Sequence, residues 1–147
     1  MAHPDRPAPH PVDPAEREAY LAALAKEPYR FGFYSALRRL EAFHQERPRL
    51  GTSVRPAEDP VRLRQEPSLA FAPSTLASFH REGVAPALGV FFFGLFGPNG
   101  PLPHHLTEYA RSRWRNESDP TFMRFADVFH HRLLSVFYRA WANTQPA

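Results

Sequence analysis

The sequence contains no cysteine. No disulfide can staple the chain, no thiolate can bind a metal, and no cysteine nucleophile is available. A reducing compartment suits such a chain. Long apolar runs are missing as well. The longest, ALGVFFFGLFG, falls well short of the roughly 20 residues of a membrane-spanning helix. The first residues, MAHPDRPAPHPVDPAE, hold no apolar segment of the kind a signal peptide carries. The expectation is a soluble, unexported, cytoplasmic protein with no direct membrane insertion.

A large excess of one charge is also absent. Lys and Arg number 18 against 15 Asp and Glu, a formal net charge of +3. The cations are nearly all arginine. Between positions 30 and 64, Arg30, Arg38, Arg39, Arg47, Arg49, Arg55, Arg62 and Arg64 are interleaved with Glu41, Glu46, Glu58 and Asp59. Nucleic-acid binding asks for a clustered basic stripe with few acids, so no nucleic-acid partner is expected. These arginines are expected to pair with acids locally or on a partner protein.

What the sequence does have is aromatic mass and proline. With 147 residues it is long enough for one domain with its own core. Thirteen Phe, five Tyr and two Trp are separated by 17 Pro. Large aromatic side chains dominate cores and interfaces, and prolines at most boundaries imply short elements joined by stiff connections.

Residues 1–12 are Pro- and His-rich without periodicity and are expected to be a disordered tail ahead of one α+β domain over 13–147. Asp13-Pro14 has the form of a helix start, and DPAEREAYLAALAKE brings Ala19, Tyr20, Ala23 and Leu24 near one face before Pro28. In YRFGFYSALRRLEAFHQERP, Phe33, Leu37, Leu40 and His44 keep helical spacing, widened by Tyr34, Ala36 and Phe43, with Pro48 as the stop. VRLRQ alternates with Val61 and Leu63 on one side, as a half-buried strand does. Leu69 and Phe71 alternate before Pro73; Leu76 and Phe79, after it, suit either a strand or a helical turn. Leu88–Phe93 suggests a strand buried on both faces. After Pro103 comes a helix with Leu106, Tyr109, Ala110 and Trp114 inward.

The last helix, opened by Asp119-Pro120, carries the stripe Phe122, Phe125, Phe129, Leu133, Phe137 and Trp141. Ala126, Val136 and Ala140 widen it, and Met123, Leu134 and Tyr138 form a second stripe. That is more aromatic surface than one small core needs, so part of the stripe is expected to be a protein interface. The class is α+β, with helices at both ends, a few short central strands and a long aromatic C-terminal helix.

Two clusters suggest chemistry. GLFGPNGPLP holds Gly94, Gly97, Pro98, Gly100, Pro101 and Pro103. A phosphate loop would need a Lys-Ser/Thr pair and free backbone donors, and these prolines remove donors. The segment is expected to be a stiff strand-to-helix corner. Second, His104, His105 and Glu108 stand at helical spacing, as do Asp127, His130 and His131. Together they could build a metal site between two helices, so a metal-dependent helical-bundle enzyme is the alternative to an interaction protein. Neither the zinc-protease order H-E-x-x-H nor a G-x-S-x-G nucleophile motif is present.

Five segments also resemble one family. FGFYSALRRLEA, PRLG, VRLRQEPSLAFAPSTLASF, FFGLFGPNGPLPHHLTEYA and DPTFMRFADVFHHRLLSVFYRAWANTQP are similar, in order, to TssG, also called ImpH or VasB, of the type VI secretion system. The resemblance implies a non-enzymatic baseplate subunit with no cofactor. It would assemble with two copies of TssF through its aromatic helices into a wedge that carries TssK and joins TssE. The place of assembly would be the cytoplasm, at the inner face of the inner membrane. Family chains run to about twice this length, so an N-terminal half or a truncated form is implied, with TssK contacts placed largely in the other half. Gly32 stands where the family pattern suggests a polar residue, and glycine there marks a helix start.

Overall fold

The structure, a computed structural model, describes residues 11–146. The disorder expected for residues 1–12 falls almost wholly outside that range, and Val12, inside it, packs on the main core.

Helix α1 (Pro14–Lys26) starts where Asp13 accepts the Ala15 amide at 2.9 Å, with Pro14 in the first turn. Of the expected face it buries Leu24 and packs Tyr20 on the core, but it leaves Ala19 and Ala23 exposed and buries Leu21 instead. A leucine removes far more apolar area from water than an alanine, so the helix rotates to bury its leucines. A short 3-10 turn (Pro28–Arg30) leads to Gly32, the extended residue that caps helix α2 (Phe33–Phe43). Phe33, Ala36, Leu37, Leu40 and Phe43 are buried, as their spacing predicts. Pro48 is not what stops the helix. His44 does so: its backbone leaves helical geometry, and its Nδ1 takes the Leu40 carbonyl at 2.9 Å.

Strands β1 (Arg62–Gln65), β2 (Leu76–His80) and β3 (Ala87–Val90) form a mixed sheet in the order β1-β3-β2. β3 lies parallel to β1 and antiparallel to β2. The register aligns Leu63, Leu88 and Phe79 in one row and Gln65, Val90 and Leu76 in a second. All are buried. The intervening rows, Arg62–Ala87–His80 and Arg64–Gly89–Ser78, lie on the opposite face, where the β1 and β2 members are polar. This alternation explains VRLRQ. Two expectations fail. The Leu69/Phe71 piece forms no strand, and Phe71 is fully exposed; Pro67 and Pro73 flank it. β3 ends at Val90, before the expected Phe93, because the chain turns into the glycine corner.

Helix α3 (His104–Glu117) ends at Ser118, a non-glycine residue in the left-handed region at φ 52°. Asp119 then accepts both the backbone and the hydroxyl of Thr121, at 3.0 and 2.6 Å, and opens helix α4 (Thr121–Thr144). Those bonds, with Arg113 alongside, hold the Asp119 carboxyl at about 2.

The buried side of α4 is Met123, Ala126, Asp127, His130, His131, Leu134, Ser135 and Tyr138. Half of these side chains can hydrogen-bond through groups other than a phenol, and their partners explain them. The outer edge of β1 has no neighbouring strand. Its Leu63 N–H donates to His131 Nδ1 at 3.0 Å and its Gln65 N–H to Asp127 Oδ1 at 3.2 Å. Two strand residues advance about 6.6 Å, and four helical residues advance about 6 Å. An i,i+4 pair on α4 therefore matches an i,i+2 pair of amides on a strand running the other way. His131 accepts at Nδ1, so its Nε2–H donates to Asp59 at 2.7 Å, and Ser53 donates to the same carboxylate at 2.6 Å.

A second clamp ties α2 to α4. Glu41 accepts from Tyr138 at 2.9 Å, Arg139 at 2.6 Å and the Leu50 amide at 2.8 Å, while Arg139 returns a bond to the Leu50 carbonyl at 2.8 Å. Burial, and then the Glu41 bond, raise the Tyr138 phenol above its ordinary pKa.

His131→Ala strands the Leu63 amide and the Asp59 carboxylate together. It is expected to lower unfolding free energy by about 3 kcal/mol in urea titration. His105→Ala, on the exposed side of α3, is expected to stay within about 0.5 kcal/mol of the parent.

Candidate functional site

The six residues of the possible metal site do not converge. His104, His105 and Glu108 are exposed on α3, whereas Asp127, His130 and His131 are buried on α4. Among the described residues no group of three or more His, Asp or Glu is placed to hold a metal. The buried trio has other work. His130 Nδ1 donates to Asp127 Oδ1 at 2.9 Å, and its Nε2 accepts the Leu95 amide at 2.9 Å. Arg124 pairs with the other Asp127 oxygen at 3.0 Å. Each imidazole thus accepts from a backbone N–H at one nitrogen and gives its proton to a carboxylate from the other. They are struts between helix, strand and corner.

The corner is fixed by those struts. Gln65 presents its amide to the backbone of Phe96. Oε1 accepts the Phe96 N–H at 2.9 Å, and Nε2 donates to the Phe96 carbonyl at 2.9 Å. The Gly97 N–H donates to buried Thr107 at 3.0 Å, tying the corner to α3. Phe96, Ala110 and Ala126 form a small second core there, with Leu95, Leu102 and Phe122 against it. Gly94 adopts φ +148°, and a Cβ on it would lie 2.2 Å from Gln65 Oε1 and 2.8 Å from His130. A Cβ on Gly100 would lie 2.5 Å from the carbonyl oxygens of Leu95 and Phe96. Pro98, Pro101 and Pro103 stiffen the exposed side of the turn.

The aromatic stripe of α4 divides into three. Phe122 packs edge-to-face on Phe96, with centroids 5.6 Å apart. Phe137 stacks on Phe93 at 4.9 Å, and Trp141 stacks on Tyr34 at 4.4 Å, closing the main core beside Phe33. The middle of the stripe is left outside. Phe125 is 63% exposed, Phe129 50% and Leu133 43%, and Val128 and Val136 join them. Phe125 and Phe129 meet edge-to-face at 5.8 Å. These five side chains run about 16 Å along one helix face. On α3, Tyr109 and Trp114 are exposed as well, against the expectation that they face inward; the buried side there is Thr107 and Ala110. The sequence pattern joined Phe122, Phe137 and Trp141 to this face because their spacing is the same; only the position of α2 and the corner separates them.

The long helix of this α+β module is pinned by buried polar bonds on one side and is bare and apolar on the other. The comparison with protein families is specific. The family described as "Type VI secretion, TssG" matches residues 27–147, so the chain belongs to the TssG family, a structural component of type VI secretion. No curated protein and no solved structure matches significantly. No helix among the described residues is long and apolar enough to cross a membrane.

Three outcomes test this geometry. Gly94→Ala is expected to cost at least about 2 kcal/mol in urea unfolding, since it combines a disfavoured φ with a clash on Gln65. Serine at Phe125, Phe129 or Leu133 is expected to change stability by less than about 0.5 kcal/mol each. Phe137→Ala, in the core, should cost about 3 kcal/mol.

Proposed function

We propose that this chain is a non-enzymatic subunit of the type VI secretion baseplate wedge, and that it docks helices of TssF on the outer face of α4. The observation that carries the proposal is the exposed run Phe125, Val128, Phe129, Leu133 and Val136 on a helix whose other side is immobilised. Rigid presentation lowers the entropy lost on docking, and aromatic anchors at the centre of an interface supply most of its energy. Membership of the TssG family supports a type VI secretion context; in the proposed wedge TssK and TssE are further partners, and assembly takes place in the cytoplasm at the inner membrane. The rest of the expected stripe, Phe122, Phe137 and Trp141, acts as core that holds the face in position.

The test is co-expression with the cognate TssF followed by size exclusion with light scattering. The parent chain is expected to co-elute with TssF. A Phe125→Asp, Phe129→Asp, Leu133→Asp triple variant that keeps its helical circular dichroism should lose the complex. His104→Ala, His105→Ala should retain it. A TssF complex that survives the triple variant places the interface elsewhere.

A further inference from the structure

At the far end of α4 from the corner, a cleft of about 640 Å³ opens between the C-terminal ends of α2 and α4. Sites of roughly 300–1,000 Å³ bury compact ligands or the side chains of a short segment. The charge on its walls is one-sided. Among the described residues, Arg38, Arg47, Arg49 and Arg139 line it against a single carboxylate, Glu41. Glu41 is already engaged three times, by Tyr138, Arg139 and the Leu50 amide. Arg47 spends one N–H on the Asp59 backbone carbonyl at 3.1 Å. Arg38 and Arg49 are exposed and make no ion pair among the described residues. Arg38 lies over the Trp141 ring, its guanidinium 5.9 Å from the centroid, which holds its donors at the cleft mouth. Trp141 is also part of the lining, so the cationic walls have an apolar patch.

We infer that this cleft receives an acidic peptide segment, rich in aspartate or glutamate, from a partner protein. Unpaired guanidinium forks match carboxylates in a bidentate geometry, and a converging set of them selects an anionic partner. Two helix C-termini face the same space. Their carbonyl ends carry partial negative charge and favour hydrogen-bond donors. Most of those carbonyls already have donors, Leu40 from His44, Phe43 from Arg17, Trp141 from Thr144 and Ala142 from Gln145, so what the cleft offers a partner is its guanidinium N–H groups, which the carboxylates of an acidic peptide match. The partial negative charge at two helix C-termini is a poorer setting for the doubly charged phosphate group, which helix N-termini favour. The arginines converge on a concavity rather than lying in an extended stripe. The cleft is distinct from the outer face of α4 and stands independently of whether TssF docks there.

The chain has two tryptophans, and Trp114 lies on α3. In Trp114→Phe, therefore, Trp141 becomes the sole emitter and reports from the cleft itself. The probe is the octapeptide acetyl-Glu-Glu-Ala-Glu-Glu-Ala-Glu-Glu-amide, titrated into the 147-residue chain at low salt, with single-stranded (dT)8 as the comparison. The expected result is a saturable change in Trp141 emission with the peptide. Binding should weaken at least about tenfold in Arg38→Glu, Arg49→Glu, with circular dichroism unchanged. Arg115→Glu on α3 should bind as the parent does. No saturable change, or equal binding by the double variant, overturns the inference. So does tighter binding of (dT)8 with the same dependence on Arg38 and Arg49, which would make the cleft a nucleic-acid site.

Discussion

The amides of Leu63 and Gln65 sit on the outer edge of β1 and take their acceptors from a helix. A sheet edge normally ends in water or in another strand; here His131 and Asp127 fill the place of the missing strand. The rest of the molecule follows from that pairing. It sets the direction of α4, opposite to β1, and its rotation. The same rotation brings His130 to the Leu95 amide and so fixes where the glycine corner sits. It also decides that Phe125, Phe129 and Leu133 point away from the core.

These struts are polar where a purely apolar contact would bury the same area. Apolar surfaces slide and rotate at small cost, whereas a hydrogen-bonded pair has one register. The Glu41–Tyr138–Arg139–Leu50 clamp, three turns further along α4, repeats the device against α2. With the helix fixed at two places along its buried side, the apolar face opposite is a rigid ridge. Buried ion pairs are not in themselves a source of stability; their effect here is positional.

Much of the architecture was legible in the sequence, but the direction of the last helix was not. The α+β order, the N-terminus of α1 at Asp13-Pro14, the spacing of Phe33 to Phe43 and the alternation of VRLRQ follow from local rules and are present in the structure. So did membership of the TssG family, through short motifs spread over most of the chain. The α4 faces were assigned by hydrophobicity. Spacing gives two apolar stripes, one that holds most of the aromatic mass and a second of Met123, Leu134 and Tyr138. The buried face is the latter, because Asp127, His130, His131 and Ser135 lower its apparent hydrophobicity while sitting in the core. The signal was present in the chain. A carboxylate followed by histidines three and four residues on, in a helix rich in large apolar side chains, needs partners, and an edge strand supplies amides. The six-residue metal alternative used the same residues but could not tell an outward trio from an inward one.

The struts also join parts of the chain that are far apart in sequence. Leu63 and His131 are separated by 68 residues, Asp59 and His131 by 72, and Glu41 and Arg139 by 98. Contacts of that span form late, because the loops they close are long. On the ribosome the sheet emerges well before the helix that covers its edge, and for that interval β1 offers two bare amides beside a run of exposed phenylalanines. The nascent chain cannot finish its core until nearly its last described residues have been made.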